Sequence, residues 1–328
     1  MLRGLNMIKD HYLKSYDGAT IYVKEKYMSL ENRSATVTHI VANNHYFKSF
    51  DRKTIHVKEK YRVGMDRHDR IVVCFPPCIY SHNFFDCPVL DYSIMDYLAD
   101  KGFKVYAYDP RGFGSSNRPL NGTSITYEVE LKDAEALVNF VLAKTGAKTV
   151  SMVAFGSGAQ VACGHAIRHP EQVDALALMD FVWKFHPPLS LEFKEILLNQ
   201  ANGYLPLSVV ADFFDNQLRF ASPEILAWVH STFTVAPVGP ILTAFDPFPL
   251  IKPAEKIRAR VLIIRGTEVG ITSEADSFDF LSKISSQIRA IDVLEGAGPI
   301  PSLEREHYQT VLKDIGWFLA RFGSNIEE

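Results

Sequence analysis

The stretch with the most chemical content is Val153-Ala154-Phe155-Gly156-Ser157-Gly158-Ala159. An apolar run ends in small residues and then opens a helix-like stretch. That is how a strand presents a nucleophile at the mouth of an α/β sheet. A hydroxyl used in this way needs a base within hydrogen-bond reach and a third group to orient the base. Ser157 is the hydroxyl at hand. Other reactive side chains are scattered: Cys78, Tyr80 and His82 just after an apolar run, Asp180 at the end of another, and His186 in a Phe-His-Pro-Pro stretch. Glu268 and Glu295 stand in late turns, and His307 in the closing segment. Lone Cys and His residues pack more often than they react. Cys78, Tyr80, His82, His186 and Asp180 are therefore read first as lining of a cleft. Asp109 and Arg111, in Asp-Pro-Arg-Gly-Phe-Gly, are expected to fix a turn, and His165 to pack within a helix. No dinucleotide fingerprint, P-loop or metal-spaced His/Cys/Asp set is visible in the sequence, so no cofactor and no metal is expected.

The elements that must position these groups follow a simple rhythm. From residue 70 onward, short apolar runs alternate with amphipathic stretches: RIVVCF, then DYSIMDYLADKG; FKVYAYD, then ITYEVELKDAEALVNFVLAKTG; TVSMVAF, then AQVACGHAIRHPEQV; then DALALMD. ARVLIIRG, SEADSFDFLSKISS, IRAIDVLEG and HYQTVLKDIGWFLARF resume it. Alternation of this kind implies a mostly parallel sheet with helices on both faces. Residues 181–255 break it. They are rich in Phe, Leu and Pro and read as a mainly helical insertion over the C-terminal ends of the strands, where open α/β sheets bind ligands.

Asp109 to Ser116, the Phe-Gly-Ser-Gly turn with His169-Pro170-Glu171 after it, the insertion, Arg260 to Gly266, and Glu295-Gly296-Ala297-Gly298 follow one another in order. Together they resemble the α/β-hydrolase superfamily over roughly residues 45 to 322. The resemblance implies a Gly-x-Ser-x-Gly elbow, but the His-Pro-Glu helix end fixes the register so that Gly156 stands in the nucleophile's place. Sliding by one residue would put Phe155 and Ala159 where the turn wants glycine-like residues. The same pattern puts Val269 at the acid, beside Glu268, and Pro299 at the base. Pro76-Pro77 replace the usual His-Gly of the oxyanion loop, whose donor would be Cys78. The triad positions Gly156, Val269 and Pro299 carry no nucleophile, base or orienting acid. Candidate cleft residues are Pro77, Cys78, Tyr80, His82, Phe155, Gly156, Ser157, Asp180, His186, Glu268 and Pro299.

The front of the chain repeats itself. His11 to Tyr27 returns as His45 to Tyr61, with 12 of 17 positions identical. Each copy reads as strand, turn, strand, and the residues between the copies read as a connector. The spare copy is expected to lengthen a sheet edge; its other expected use is to pair with a second chain and form a homodimer. The expected divisions are 1–44 (extra hairpin and connector), 45–180 (first half of the core), 181–255 (helical cap) and 256–328 (second half).

The chain has 328 residues, 47% hydrophobic and 22% charged, with a formal charge of −3. Such a balance gives no electrostatic case for nucleic acid or an anionic membrane. The four cysteines show neither zinc nor disulfide spacing, and the first residues lack an apolar signal-like block, so a cytoplasmic setting is expected. The functional expectation is a pseudoenzyme that binds a small apolar molecule in a capped cleft as receptor, carrier or scaffold. The alternatives are a repurposed cyclase, isomerase or lyase of specialised metabolism, and a residual hydrolase using Ser157, Cys78 or Glu268.

Overall fold

Strand β5 (Ile71–Phe75) shows why the sheet lies where it does: Val72 and Cys74 point into one apolar layer, and Ile71, Val73 and Phe75 into the other. Every residue of this strand is buried, as a central parallel strand requires. The structure, a computed structural model, describes residues 9–14, 20–25, 40–64, 70–183, 190–245, 253–269 and 272–321.

In chain order the elements are β1 (Lys9–Lys14), β2 (Thr20–Glu25), β3 (Ile40–Lys48), β4 (Thr54–Arg62), β5, α1 (Ile94–Asp100), β6 (Lys104–Tyr108) and α2 (Tyr127–Thr145). Then come β7 (Val150–Phe155), α3 (Gly156–Arg168), β8 (Val173–Met179), α4 (Leu191–Leu198), β9 (Tyr204–Pro206), α5 (Ala211–Gln217) and α6 (Pro223–Thr232). β10 (Val235–Pro237), α7 (Val238–Phe245), β11 (Arg260–Gly266), α8 (Glu274–Lys283), β12 (Arg289–Leu294) and α9 (Tyr308–Arg321) complete the set. The main sheet has the order β1-β2-β12-β11-β8-β7-β5-β6-β4-β3. Its neighbours from β2 to β6 run parallel. The β1–β2 pair, the β3–β4 pair and the β4–β6 contact are antiparallel. This is the α/β-hydrolase architecture that the sequence resemblance implies.

Alternation along each strand divides the core in two. Val105 and Ala107 of β6, Ala175 and Ala177 of β8, and Leu262 and Ile264 of β11 join the layer under α1, α9 and the insertion. Tyr106, Leu176 and Ile263 face α2, α3 and α8 instead. A buried Leu, Ile or Val side chain contributes about 1.5–3 kcal/mol, so these two layers supply the main driving force. Helix ends are set locally: Thr126 caps α2, which stops at Gly146 in a left-handed turn (φ +73°), and Ser273 and Asp276 form a capping box on α8.

The two repeat copies occupy opposite edges of the sheet: β3–β4 beside β6, and β1–β2 beside β12, where Ile21 pairs with Arg289 and Val23 with Ile291. β3 begins at Ile40, inside the stretch expected to be a connector. Its pairing with β4 continues past the repeat to Ile40 opposite Arg62, because the open hairpin register lets the ladder extend. Between β8 and β11 the chain leaves the sheet for α4 to α7 and the small β9–β10 ladder. No helix among the described residues is long and apolar enough to cross a membrane.

Candidate functional site

The turn from β7 into α3 is a sharp strand-to-helix turn with Gly156 at its apex. Gly156 opens the helix at φ +52°, a left-handed value that costs other residues about 1–2 kcal/mol. Gly158 is required for a different reason. A Cβ there would lie 2.3 Å from the Phe75 carbonyl oxygen, because the first turn of α3 presses on the end of β5. The Gly-Ser-Gly spacing is thus accounted for by backbone geometry. Ser157, between them, accepts a hydrogen bond from the Cys78 backbone N–H at 2.7 Å. Burial pushes the Cys78 thiol up to about 12, although the Ser157 hydroxyl pulls the other way. The thiol stays protonated and weakly nucleophilic near neutral pH.

Val269 follows β11, half-buried, and its neighbour Glu268 is exposed, its carbonyl accepting from the Arg219 guanidinium. Pro299 is buried in the turn after β12. That turn is braced by Glu304, which accepts the Gly298 N–H at 3.1 Å. Burial raises the Glu304 carboxyl above its ordinary value.

A cavity of about 110 Å³ lies over the elbow. Its floor is Pro77, Cys78, Ile79 and Tyr80 after β5, and Phe155, Gly156, Ser157 and Gln160 at the elbow. Phe193, Leu205, Phe213, Gln217, Ile241 and Ala244 roof it from the insertion. Asp180 and Val182 enter from the end of β8, and Ile300 from the turn after β12. Of the sequence candidates, Pro77, Cys78, Tyr80, Phe155, Gly156, Ser157 and Asp180 line the cavity, whereas His82, Glu268 and Pro299 do not. His186 lies outside the described residues. The roof residues carry no sequence signal beyond the apolar richness of the insertion.

Asp180 is the unusual member. It is 3% exposed and sits at φ +43°. One of its carboxyl oxygens is buried without a hydrogen-bond partner among the described residues. Burial pushes the carboxyl up to about 7, opposed by Arg265 on β11 and reinforced by Glu304. Tyr80, 2% exposed, packs edge-on against Phe233 at 4.6 Å between ring centroids.

His82 instead belongs to a second cluster. Its Nδ1 lies 2.5 Å from Asp109, whose other oxygen lies 2.8 Å from His56 Nδ1. Asp109 also accepts the backbone N–H groups of His82 and Ser115. Two nitrogen or oxygen ligands of one tetrahedral ion at about 2.0 Å would stand about 3.3 Å apart. The shorter separations here are those of hydrogen bonds. His82 is drawn from the cleft because Asp109 offers it a buried carboxylate. Burial pushes the Asp109 carboxyl up, but the bonds from His56 and His82 outweigh it and hold the group well below the usual carboxylate range. Beside it, Arg111 bridges Asp51 and Asp133. Asp109 and Arg111 therefore tie the hairpin, the oxyanion-side loop and the β6 turn together. His165 is fully buried and 3.2 Å from the Gln172 side chain.

The family model for the alpha/beta hydrolase fold matches residues 72–232. Among solved structures, an enol-lactonase from Burkholderia xenovorans is similar at a TM-score of 0.66 and 18% identity, over 84% of this chain and 99% of that one. A thermophilic esterase from Thermogutta terrifontis is similar at 0.66 and 17%, over 86% and 100%. An epoxide hydrolase mutant from Vigna radiata is similar at 0.64 and 15%, over 86% and 99%. At such identities these likenesses establish the fold. The strand order and the structural likenesses give the chain the α/β-hydrolase fold, and residues 72–232 match the family of that fold.

Proposed function

We propose that this chain binds a small apolar molecule in the cavity over the elbow and does not hydrolyse it, acting as a receptor, carrier or scaffold. The observation that carries this is Gly156 at the apex of the elbow, with the oxygen of the neighbouring Ser157 accepting the Cys78 N–H. Further support comes from Pro299, which has no proton to exchange, and from a Cys78 thiol that burial keeps protonated. Removal of the nucleophile's side chain leaves the elbow backbone open to a ligand: a Cβ on Gly156 would meet only Pro77, at 3.5 Å. Apolar walls with a few polar groups are the usual composition of small-molecule sites.

The test is reaction of the pure protein with a fluorophosphonate probe, followed by peptide mapping. No labelled residue is expected. Stoichiometric labelling at Ser157 or Cys78 would restore hydrolysis with a relocated nucleophile. A repurposed isomerase or lyase draws support from Asp180, a group able to give and take a proton near neutral pH. Incubation of the protein with a bound compound separates the two: a carrier returns it unchanged.

A further inference from the structure

Asp180 meets β11 through its backbone N–H, which donates to the Ile264 carbonyl at 2.9 Å, and through the nearby charge of Arg265. It ends β8 in a left-handed conformation, lines an otherwise largely apolar cavity, and keeps a buried oxygen unpartnered among the described residues. A buried polar group without a partner is costly, and a water or a ligand group entering the cavity can supply one. The other polar groups in the cavity are differently placed, and one of them, Gln217 on α5, is only half-buried. The Ser157 oxygen accepts the Cys78 N–H and keeps its own O–H, and the Gln160 amide donates to the Val182 carbonyl at 3.2 Å. The Tyr80 hydroxyl makes no hydrogen bond among the described residues, and burial pushes it up, so it remains a phenol and a donor.

The ligand's chemistry follows from what filling the cavity does to Asp180. An apolar occupant expels water, which disfavours the carboxylate and favours the carboxylic acid. The charged groups facing Asp180 are Arg265 on β11, which works against this, and Glu304 near the Pro299 turn, which adds to it. The protonated group is a donor, as Tyr80 is. Two neutral donors in an apolar enclosure match an oxygen that only accepts.

Resting on the cavity-binding function above, we propose that the ligand is a neutral apolar carbonyl compound, held by a hydrogen bond from the protonated carboxyl of Asp180 to its carbonyl oxygen. The bond needs the acid form, so binding takes up a proton. With Asp180 at about 7, affinity is about tenfold weaker at pH 8 than at pH 6.

The experiment is calorimetric titration of the full chain with four probes of one skeleton: butyrophenone, 1-phenylbutan-1-ol, 1-phenylbutylamine and butylbenzene. Each is run at pH 6 and pH 8, in buffers of different ionisation enthalpy. Butyrophenone is expected to bind at least about tenfold tighter than butylbenzene at pH 6, with proton uptake, and to weaken at pH 8. Asp180→Asn suits the left-handed backbone and keeps a donor but cannot titrate, so it should bind the ketone equally at both pH values. Asp180→Leu should lose the preference for ketone over hydrocarbon. Equal, pH-independent binding of ketone and hydrocarbon by the unaltered chain would overturn the role of Asp180 while leaving the apolar site intact. Tightest binding of the amine, strengthening at pH 8, would overturn it in favour of an ionised anchor. Failure of all four probes would remove the cavity-binding function and this assignment together.

Discussion

The Ser157 hydroxyl accepts the backbone N–H of Cys78 at 2.7 Å. In the α/β-hydrolase pattern that N–H would face a developing oxyanion, and here the adjacent side chain covers it. Ser157→Ala should free the donor and cost about 1 kcal/mol, the net worth of one such bond. Urea unfolding of the two proteins measures it; an unchanged midpoint would mean that solvent already satisfies the Cys78 N–H.

A serine placed at the apex of the elbow should not create hydrolysis. Gly156→Ser has room in the cavity, with only Pro77 near, but it places a serine at φ +52°. The variant should lose about 1–2 kcal/mol of stability. It should cleave p-nitrophenyl butyrate no faster than the parent, since Pro299 supplies no base. Hydrolysis well above the parent's rate would show that another group serves as base.

Asp109 holds four donors, from His56, His82 and two backbone N–H groups. Asp109→Asn should destabilise by about 3–5 kcal/mol, the range for breaking a buried charged network. The sign with pH follows from the lowered carboxyl. Its stabilisation is present above the unfolded value, near about 3.9, and is lost as pH falls below it. Between about pH 5 and pH 3 the unaltered chain should therefore lose more stability than the Asn variant. Equal slopes in denaturant melts would contradict this.

Arg52 turns the second hairpin at φ +63°, whereas the first copy has Gly18 at the matching position. Arg52→Gly should relieve about 1 kcal/mol of backbone strain, offset in part by the flexibility of glycine in the unfolded chain. The melting midpoint should rise by about 1–2 °C. A fall would show that the arginine side chain contributes more than its turn costs.

Deletion of residues 1–39 should leave the cavity and the rest of the sheet in place. β2 meets β12 over three residue pairs, while β4 meets β6 over four and buries Ile55 and Val57 completely. Ile55→Ala should cost about 2–5 kcal/mol, more than the whole deletion. Thermal melts of both variants decide the order.

The strands from β5 to β8 and β11 were legible because each is a short apolar run, and burial on both faces leaves no other use for such a run. The strand-to-helix turn at Gly156 was legible as well, since an apolar run that ends in small residues marks such a turn. The environment of Asp180 was not. Its burial depends on Arg265 and Glu304, brought together from distant parts of the chain. The partners of Asp109 were hidden for the same reason: His56 is 53 residues away and His82 27. Pattern along a chain reports which face is buried, but not which groups meet across it.

The paired hairpins say something about how a sheet ends. One segment, present twice with 12 of 17 positions shared, lies antiparallel to β6 in one copy and parallel to β12 in the other. A strand's sequence thus does not by itself specify the direction of its neighbour. Duplication of a terminal hairpin is then a ready-made hem: it can be stitched to either selvage of the sheet without altering the fabric between them.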